Sequence, residues 1–215
     1  GTDLAAAAKT VAMGANLYAG QTCISTQRIF VVQPEFEQFR DLLVKEFNAL
    51  KAGDPSDPAV SLGPIIDKGH FERISSWLEE AVNTGAIVLA GGAAVDAERN
   101  VFGATLLTGT KHSMKVDCAE VFGPVTIVEP VKDFSAAVAR VNDSTYGLQA
   151  GVYTNHFAHV KQAHEEIEVG GVIINNIPGF RVDSMPYGGV KDSGLGREGL
   201  KYAMEEMSEP RLIVY

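Results

Sequence analysis

Cys23 stands in "YAGQTCISTQRIFVV", residues 18–32, with Gly20 before it and the small hydroxyl side chains of Thr22 and Ser25 on either side. A thiolate is the side-chain nucleophile best suited to a carbonyl carbon. A loop that leaves a helix and enters a strand keeps backbone N–H groups free of secondary-structure partners, and such groups can hold an oxyanion. Gly20 permits a tight turn, and small neighbours leave room for a ligand to reach sulfur. Free cysteine is also among the most often buried residue types, so on these residues alone a catalytic thiol and a structural one both stand.

The other candidates for chemistry are weaker. Cys118, the second of the two cysteines, has no recognisable base beside it and reads as structural. Two cysteines make neither a disulfide framework nor a four-cysteine zinc site. A cysteine hydrolase would need a histidine with an Asn or Asp orienter, which no motif marks. His156 and His159 lie one helical turn apart and His164 falls on another face, the pattern of a polar helix surface, and no metal site is expected.

The elements that must position Cys23 follow from periodicity. Asp3 can cap a helix running to about Ala19, with Gly20 as its stop. "RIFVV" has the character of a strand. Pro34 opens a helix that places Phe36, Phe39, Leu43, Phe47 and Leu50 on one face, and Gly53 closes it. A second amphipathic helix carries Phe71, Ile74, Leu78 and Val82, stops near Gly85 and feeds "AIVLA". Further strands are predicted at "TIVEPV", "AGVYT" and "VIIN", with helices around residues 134–141 and 156–167 between them. This alternation predicts an α/β fold: a three-layer α/β/α domain with a mostly parallel sheet covered on both faces. After a helix over about residues 197–207, Pro210 interrupts and "RLIVY" ends the chain as a strand with no partner close in sequence. Such a strand either joins the domain's own sheet or extends a neighbour's.

A chain of 215 residues that is 46% hydrophobic suits one globular domain, or two small ones. Its formal net charge of -9 argues against a phosphate-backbone binder, so no nucleic-acid partner is expected. No apolar run approaches the ~20 residues of a membrane helix, and no signal-peptide pattern opens the chain. A soluble, cytoplasmic protein without a membrane partner is the expectation. The glycine-rich stretch near the C-terminus follows a loop rather than a strand, which fails the context of a dinucleotide-binding fingerprint.

"AGQTCISTQR", "EVFGPV", "NDSTYGLQAGVYT" and "MPYGGVKDSGLGREG", in this order, closely resemble the catalytic half of the aldehyde dehydrogenase superfamily, and the resemblance covers essentially the whole chain. It implies that Cys23 attacks an aldehyde carbon to give a thiohemiacetal, whose collapse sends hydride to NAD or NADP and leaves a thioester to be hydrolysed. It implies that Glu120 accepts from the nicotinamide ribose hydroxyls and that Phe122 packs near the nicotinamide ring. Both suit their chemistry, since a carboxylate can accept from a vicinal diol and an aromatic face excludes water. Without the motif they read as a solvated acid and a core aromatic. The resemblance places Thr22 and Ile24 beside the nucleophile and Phe180, Arg181 and Tyr187 on the wall of a substrate entrance. A guanidinium there would favour a carboxylate- or phosphate-bearing aldehyde; a surface arginine, or one paired with Asp183, is the alternative.

The departures matter as much. Family members carry a dinucleotide-binding domain, an oxyanion-hole asparagine and a glutamate in an E-L-G-G type motif, none of which these residues contain. Tyr18 stands where an asparagine is common, and Ala119 where the first acid of E-E-x-F-G-P usually stands. The chain therefore reads as a C-terminal portion of such an enzyme, inactive as a dehydrogenase by itself. Residues 1–208 are assigned to the catalytic domain and 209–215 to an oligomerisation strand, with a homodimer or higher homo-oligomer expected. A non-catalytic interaction module that keeps the fold in order to dimerise is the competing reading.

Overall fold

The computed structural model describes residues 2–215. Asp3 caps helix α1, Leu4–Asn16, its carboxylate accepting from the Ala5 and Ala6 N–H groups. The helix ends three residues before the predicted Ala19. Leu17–Gly20 form a tight 3-10 turn in which Tyr18 (φ 51°), Ala19 (φ 56°) and Gly20 (φ 72°) are all left-handed. Two of these carry a Cβ, so each costs roughly 1–2 kcal/mol of backbone strain. That turn delivers the chain to strand β1, Arg28–Val32, on the predicted "RIFVV".

Helix α2, Gln33–Ala49, has Pro34 in its first turn and buries Phe36, Phe39, Leu43 and Phe47. Its stop is not Gly53. Leu50 leaves the helix in extended geometry, and Gly53 lies in the following loop, where its N–H donates to the Leu62 carbonyl. Helix α3, Lys68–Asn83, buries Phe71, Ile74, Leu78 and Ala81, whereas Val82 is 42% exposed. A step of 100° per residue allows either i+3 or i+4 to continue the stripe after Leu78, and packing chose Ala81.

The central sheet has strand order β1, β6, β5, β2. Strands β2 (Ile87–Ala90), β5 (Thr105–Thr108) and β6 (Val125–Val131) join β1; the β1–β6 and β5–β6 pairs are parallel and β2–β5 is antiparallel. Between β2 and β5 a small hairpin forms from β3 (Ala94–Asp96) and β4 (Val101–Phe102). In β6 the residues from Val125 to Glu129 are buried in succession, and successive side chains point to opposite faces, so both faces are covered. Helix α2 crosses this sheet and packs on α1, while α5 (Phe134–Asn142) packs on β1 and β6. The architecture is thus the predicted mixed α/β fold with a mostly parallel sheet.

A second, smaller cluster joins Val138 of α5 to Ala150, Val152, Ala163 and Ile167. Its frame is the parallel pair β8 (Gln149–Val152) and β9 (Gly171–Ile174), connected by α6 (Phe157–Glu166). Strand β7 (Tyr146–Gly147) pairs with β10 (Val190–Lys191), and α7 (Leu200–Glu206) follows. The terminal "RLIVY" pairs with no strand of the described residues. Leu212, Ile213 and Val214 are each at least 78% exposed. A strand needs a facing edge for its backbone groups, and this chain offers it none there. No helix of the described residues is long and apolar enough to cross a membrane.

One buried charge cluster ties β1, α5 and the one-turn helix α4 (Lys115–Cys118) together. The Asp117 side chain is fully buried, 3.0 Å from the Arg140 guanidinium, 3.7 Å from that of Arg28 and 3.4 Å from His112 Nδ1. Arg28 also donates to the carbonyls of Arg140, Val141 and Asp143. Burial pulls the Arg28 pKa below its ordinary value, with neighbouring Arg140 adding to the shift and Asp117 opposing it. Removing Asp117 would leave the largely buried Arg28 guanidinium and the partly exposed Arg140 without their buried counter-charge. Asp117→Ala is therefore expected to lower unfolding stability by about 3–5 kcal/mol in urea titration, and an unchanged midpoint would show that the cluster is not stabilised by this carboxylate.

Candidate active site

Cys23 is exposed, in the loop between the left-handed turn and β1. Ser25 fastens that loop from both ends: its N–H donates to the Thr22 carbonyl and its hydroxyl to the Ala15 carbonyl at the end of α1. Thr26 N–H reaches the Gly14 carbonyl. Among the described residues no acceptor takes the Cys23 N–H, which leaves it available to an oxyanion formed beside the sulfur.

Cys23 lines a cavity of about 860 Å³ together with Thr22, Glu120 and Phe122. Glu120 is exposed, and none of the described residues donates to its carboxylate. Phe122 sits half-buried in left-handed geometry, φ 50°. A bulky residue in that region is a strained outlier held by its surroundings, and here the surroundings are explicit. Val121 N–H donates to Gln27 Oε1 at 2.9 Å, the Val121 carbonyl accepts from Arg73 of α3 at 2.6 Å, and Gln27 Nε2 donates to the carbonyls of Ala119 at 2.7 Å and Val116 at 3.1 Å. A Cβ on Gly123 would come within 2.5 Å of Ile74 Cδ1, and one on Gly20 would collide with the Gly123 carbonyl. The Cys23 loop and the "EVFGP" segment touch backbone to backbone, and only glycine fits at residue 20.

Tyr187 approaches the thiol from outside this lining. It is buried, and its phenol pKa is raised chiefly by desolvation and further by Cys23, with Arg181 opposing. The Arg181 guanidinium lies 4.2 Å from the Tyr187 ring centroid and 3.0 Å from the Glu198 carboxylate. Its partner is thus Glu198, not Asp183. Sequence distance hides that pairing, but a backbone bridge between Tyr187 and Glu198 creates it, each N–H donating to the other's carbonyl. Phe180 is exposed on the turn before Arg181, which Gln149 of β8 holds by donating to the Pro178 carbonyl at 2.6 Å. Ile24 is half-buried, its carbonyl against Gly179 of the same turn. Thr22, Cys23, Glu120 and Phe122 therefore share one cavity, while Ile24, Phe180, Arg181 and Tyr187 lie outside its lining. Sequence reasoning passed over Gln27 and Glu198. Both lie inside quoted motifs, but an amide or a carboxylate in a motif does not declare its partner.

Elsewhere, His159 stacks on Phe134 with ring centroids 4.3 Å apart and lies 5.2 Å from the His156 ring, so aromatic packing occupies both imidazoles.

A mostly parallel α/β core that presents an exposed cysteine, an unpaired carboxylate and an aromatic ring to one cavity has counterparts among known proteins. The sequence profile described as "Aldehyde dehydrogenase family" matches residues 1–213, and the chain belongs to that family. It is 43% identical over 212 residues to the 3-sulfolactaldehyde dehydrogenase of Priestia aryabhattai, covering 99% of this chain and 44% of the relative. Among solved structures it resembles glyceraldehyde-3-phosphate dehydrogenase GapN from Methanocaldococcus jannaschii, complexed with NADP (TM-score 0.91, 36% identity, 97% of this chain and 44% of that one). It also resembles aldehyde dehydrogenase 21 from Physcomitrella patens in complex with the reaction product succinate (TM-score 0.89, 36% identity, 94% and 42%). The chain spans less than half the length of these relatives.

The raised Tyr187 pKa has a defined sign. The folded chain holds the phenol proton more tightly than the unfolded one, so this group's contribution to stability is present below the ordinary tyrosine value of about 10 and lost as pH rises beyond it. In alkaline difference spectra at the phenolate band, subtracting Tyr187→Phe from the parent protein is expected to leave one tyrosine titrating above about 10; a difference curve centred at or below that value would contradict the burial.

Proposed function

We propose that this chain carries the nucleophile and the nicotinamide-facing residues of an NAD- or NADP-dependent aldehyde dehydrogenase that oxidises an aldehyde to a carboxylate. The observation that carries the reading is the single cavity shared by the exposed Cys23 thiol, the unpaired Glu120 carboxylate and the Phe122 ring. Family membership and the NADP-bound relative support it.

The residues present fit the nicotinamide end of such a cofactor. Glu120 offers both carboxylate oxygens to a ribose diol, and Phe122 offers an apolar face that keeps water from the reacting carbon. When bound, the cofactor supplies a hydride acceptor. Cys23 forms the C–S bond to the aldehyde carbon while the carbonyl π electrons move to oxygen, and the Cys23 N–H stabilises the resulting oxyanion. Re-formation of C=O would pass hydride to the acceptor that a bound NAD or NADP supplies, leaving a thioester on Cys23. Water then cleaves the C–S bond, giving the carboxylate and the free thiol. Hydrolysis requires a positioned base, and the E-V-G-G run at residues 168–171 does not supply it, since Glu168 pairs with Lys191 at 2.6 Å and lies outside the lining of the Cys23 cavity. The isolated chain accordingly holds the nucleophile without turnover.

Arg181 sets the substrate class in this reading. Its guanidinium lies beside Tyr187, which faces the thiol, and suits an aldehyde carrying a carboxylate, sulfonate or phosphate at its far end. The relatives named above are titled for a sulfonated aldehyde, a phosphorylated aldehyde and a dicarboxylate product. Residues 209–215, with Leu212, Ile213 and Val214 exposed, would serve as a strand added to the sheet of a second subunit.

Iodoacetamide treatment of this chain followed by peptide mapping is expected to label Cys23 well ahead of the half-buried Cys118, while the untreated chain reduces no NAD or NADP in the presence of aldehyde. Equal labelling, or robust cofactor reduction, would overturn the respective part of the proposal. In the full-length enzyme, Arg181→Ala is expected to lower kcat/KM about tenfold or more on anionic aldehydes and far less on neutral ones of similar size; an equal loss on both would reject the anionic substrate class.

A further inference from the structure

We propose that Gln27 is a positioning residue for cofactor binding: its side-chain amide fixes the backbone on both sides of Glu120 and so aims that carboxylate into the cavity. The inference rests on the reading of Glu120 as the cofactor carboxylate. Gln27 lies in the nucleophile loop, directly before Arg28 of β1, and its own carbonyl accepts from Ile127 N–H, so its main chain is fixed to β6. From that anchor Nε2 donates to the Ala119 carbonyl, immediately before Glu120, and to the Val116 carbonyl within the one-turn helix α4. Oε1 accepts from Val121 N–H, immediately after Glu120. The amide thus uses both donor hydrogens and its acceptor on one short segment of backbone.

The segment needs such an anchor. Glu120 is exposed and none of the described residues holds its carboxylate, so no side-chain contact of its own defines where it points. Phe122, two residues on, sits in strained left-handed geometry that relaxes if the flanking hydrogen bonds are lost. The other restraints act elsewhere. Arg73 holds the Val121 carbonyl from α3, and Gly20 meets the segment at Gly123, but the Ala119 carbonyl has only Gln27 as partner among the described residues. Because Gln27 also belongs to the loop that carries Cys23, one amide sets the spacing between nucleophile and cofactor carboxylate.

The test uses the full-length enzyme and reads the KM values for cofactor and aldehyde separately, with cofactor Kd from nicotinamide fluorescence. Gln27→Ala, and Gln27→Met, which keeps the volume and so preserves folding, are each expected to raise the cofactor KM and Kd about tenfold while moving the aldehyde KM less than about twofold. Glu120→Ala supplies the reference. In the Gln27→Met/Glu120→Ala double variant, no further loss beyond Glu120→Ala is expected, because the amide acts through that carboxylate. If Glu120→Ala weakens the cofactor while Gln27→Met does not, or if the two losses add, the positioning role is overturned and the Glu120 reading survives. If Glu120→Ala leaves the cofactor KM unchanged, the reading of Glu120 itself fails and this inference falls with it.

Discussion

The backbone contact between Gly20 and Gly123 is the constraint on which the site depends. Any side chain at residue 20 would occupy the space of the Gly123 carbonyl, and one at residue 123 would press on Ile74. Two main-chain segments separated by about a hundred residues are thereby held closer than side chains would permit. The first bears Cys23, the second Glu120 and Phe122, and all three line one cavity. Distance between reacting groups is the variable that enzymes control most strictly, since misplacement of about 1 Å can cost 10²-fold in rate. Setting that distance through peptide atoms, which lack rotamers, removes one source of variation.

Strain accompanies this arrangement. Tyr18, Ala19 and Phe122 carry left-handed backbone at a cost that their surroundings must offset. On one side the offset comes from the loop bonds of Ser25 and Thr26 to the end of α1, and on the other from Gln27 and Arg73 around Val121. Behind both lies the Asp117 cluster, which joins the start of β1 to the segment preceding Glu120. Buried ion pairs add little net stability against apolar replacements, but they fix which groups must meet. Here Arg28 and Asp117 register the two functional segments of the site.

The long elements were legible because their burial pattern is written in their spacing. Phe36, Phe39, Leu43 and Phe47 could only be one helix face, and "RIFVV" could only be a strand feeding the sheet. Errors fell at ends and at short pieces. Gly53 looked like a helix stop because glycine often is one, yet Leu50 had already left the helix through extended geometry that any residue adopts. Strands β3, β4, β7 and β10 are two or three residues long, too short for a period of two to show, and exist because a partner lies alongside, close in sequence for β3 and β4 and distant for β7 and β10. Arg181 pairs with Glu198 rather than with Asp183, because the Tyr187–Glu198 bridge brings Glu198 to it.

Local chemistry could be read from the residue order: a cysteine between helix and strand, a carboxylate before "VFGP", a glycine-dense loop near the end, and the family that these together resemble. Each depends on neighbours within a few residues, whose preferences act through short-range sterics and hydrogen bonding. What the tertiary structure decided was which of these pieces face one another. Glu120 and Phe122 line the cavity of Cys23, the Tyr187 phenol interacts with the thiol, and Gln27 spans to Ala119 and Val121, all through contacts between residues far apart in the chain. No local preference encodes such contacts, because they arise only when the sheet and its covering helices pack at fixed spacing and bring distant loops to a common edge.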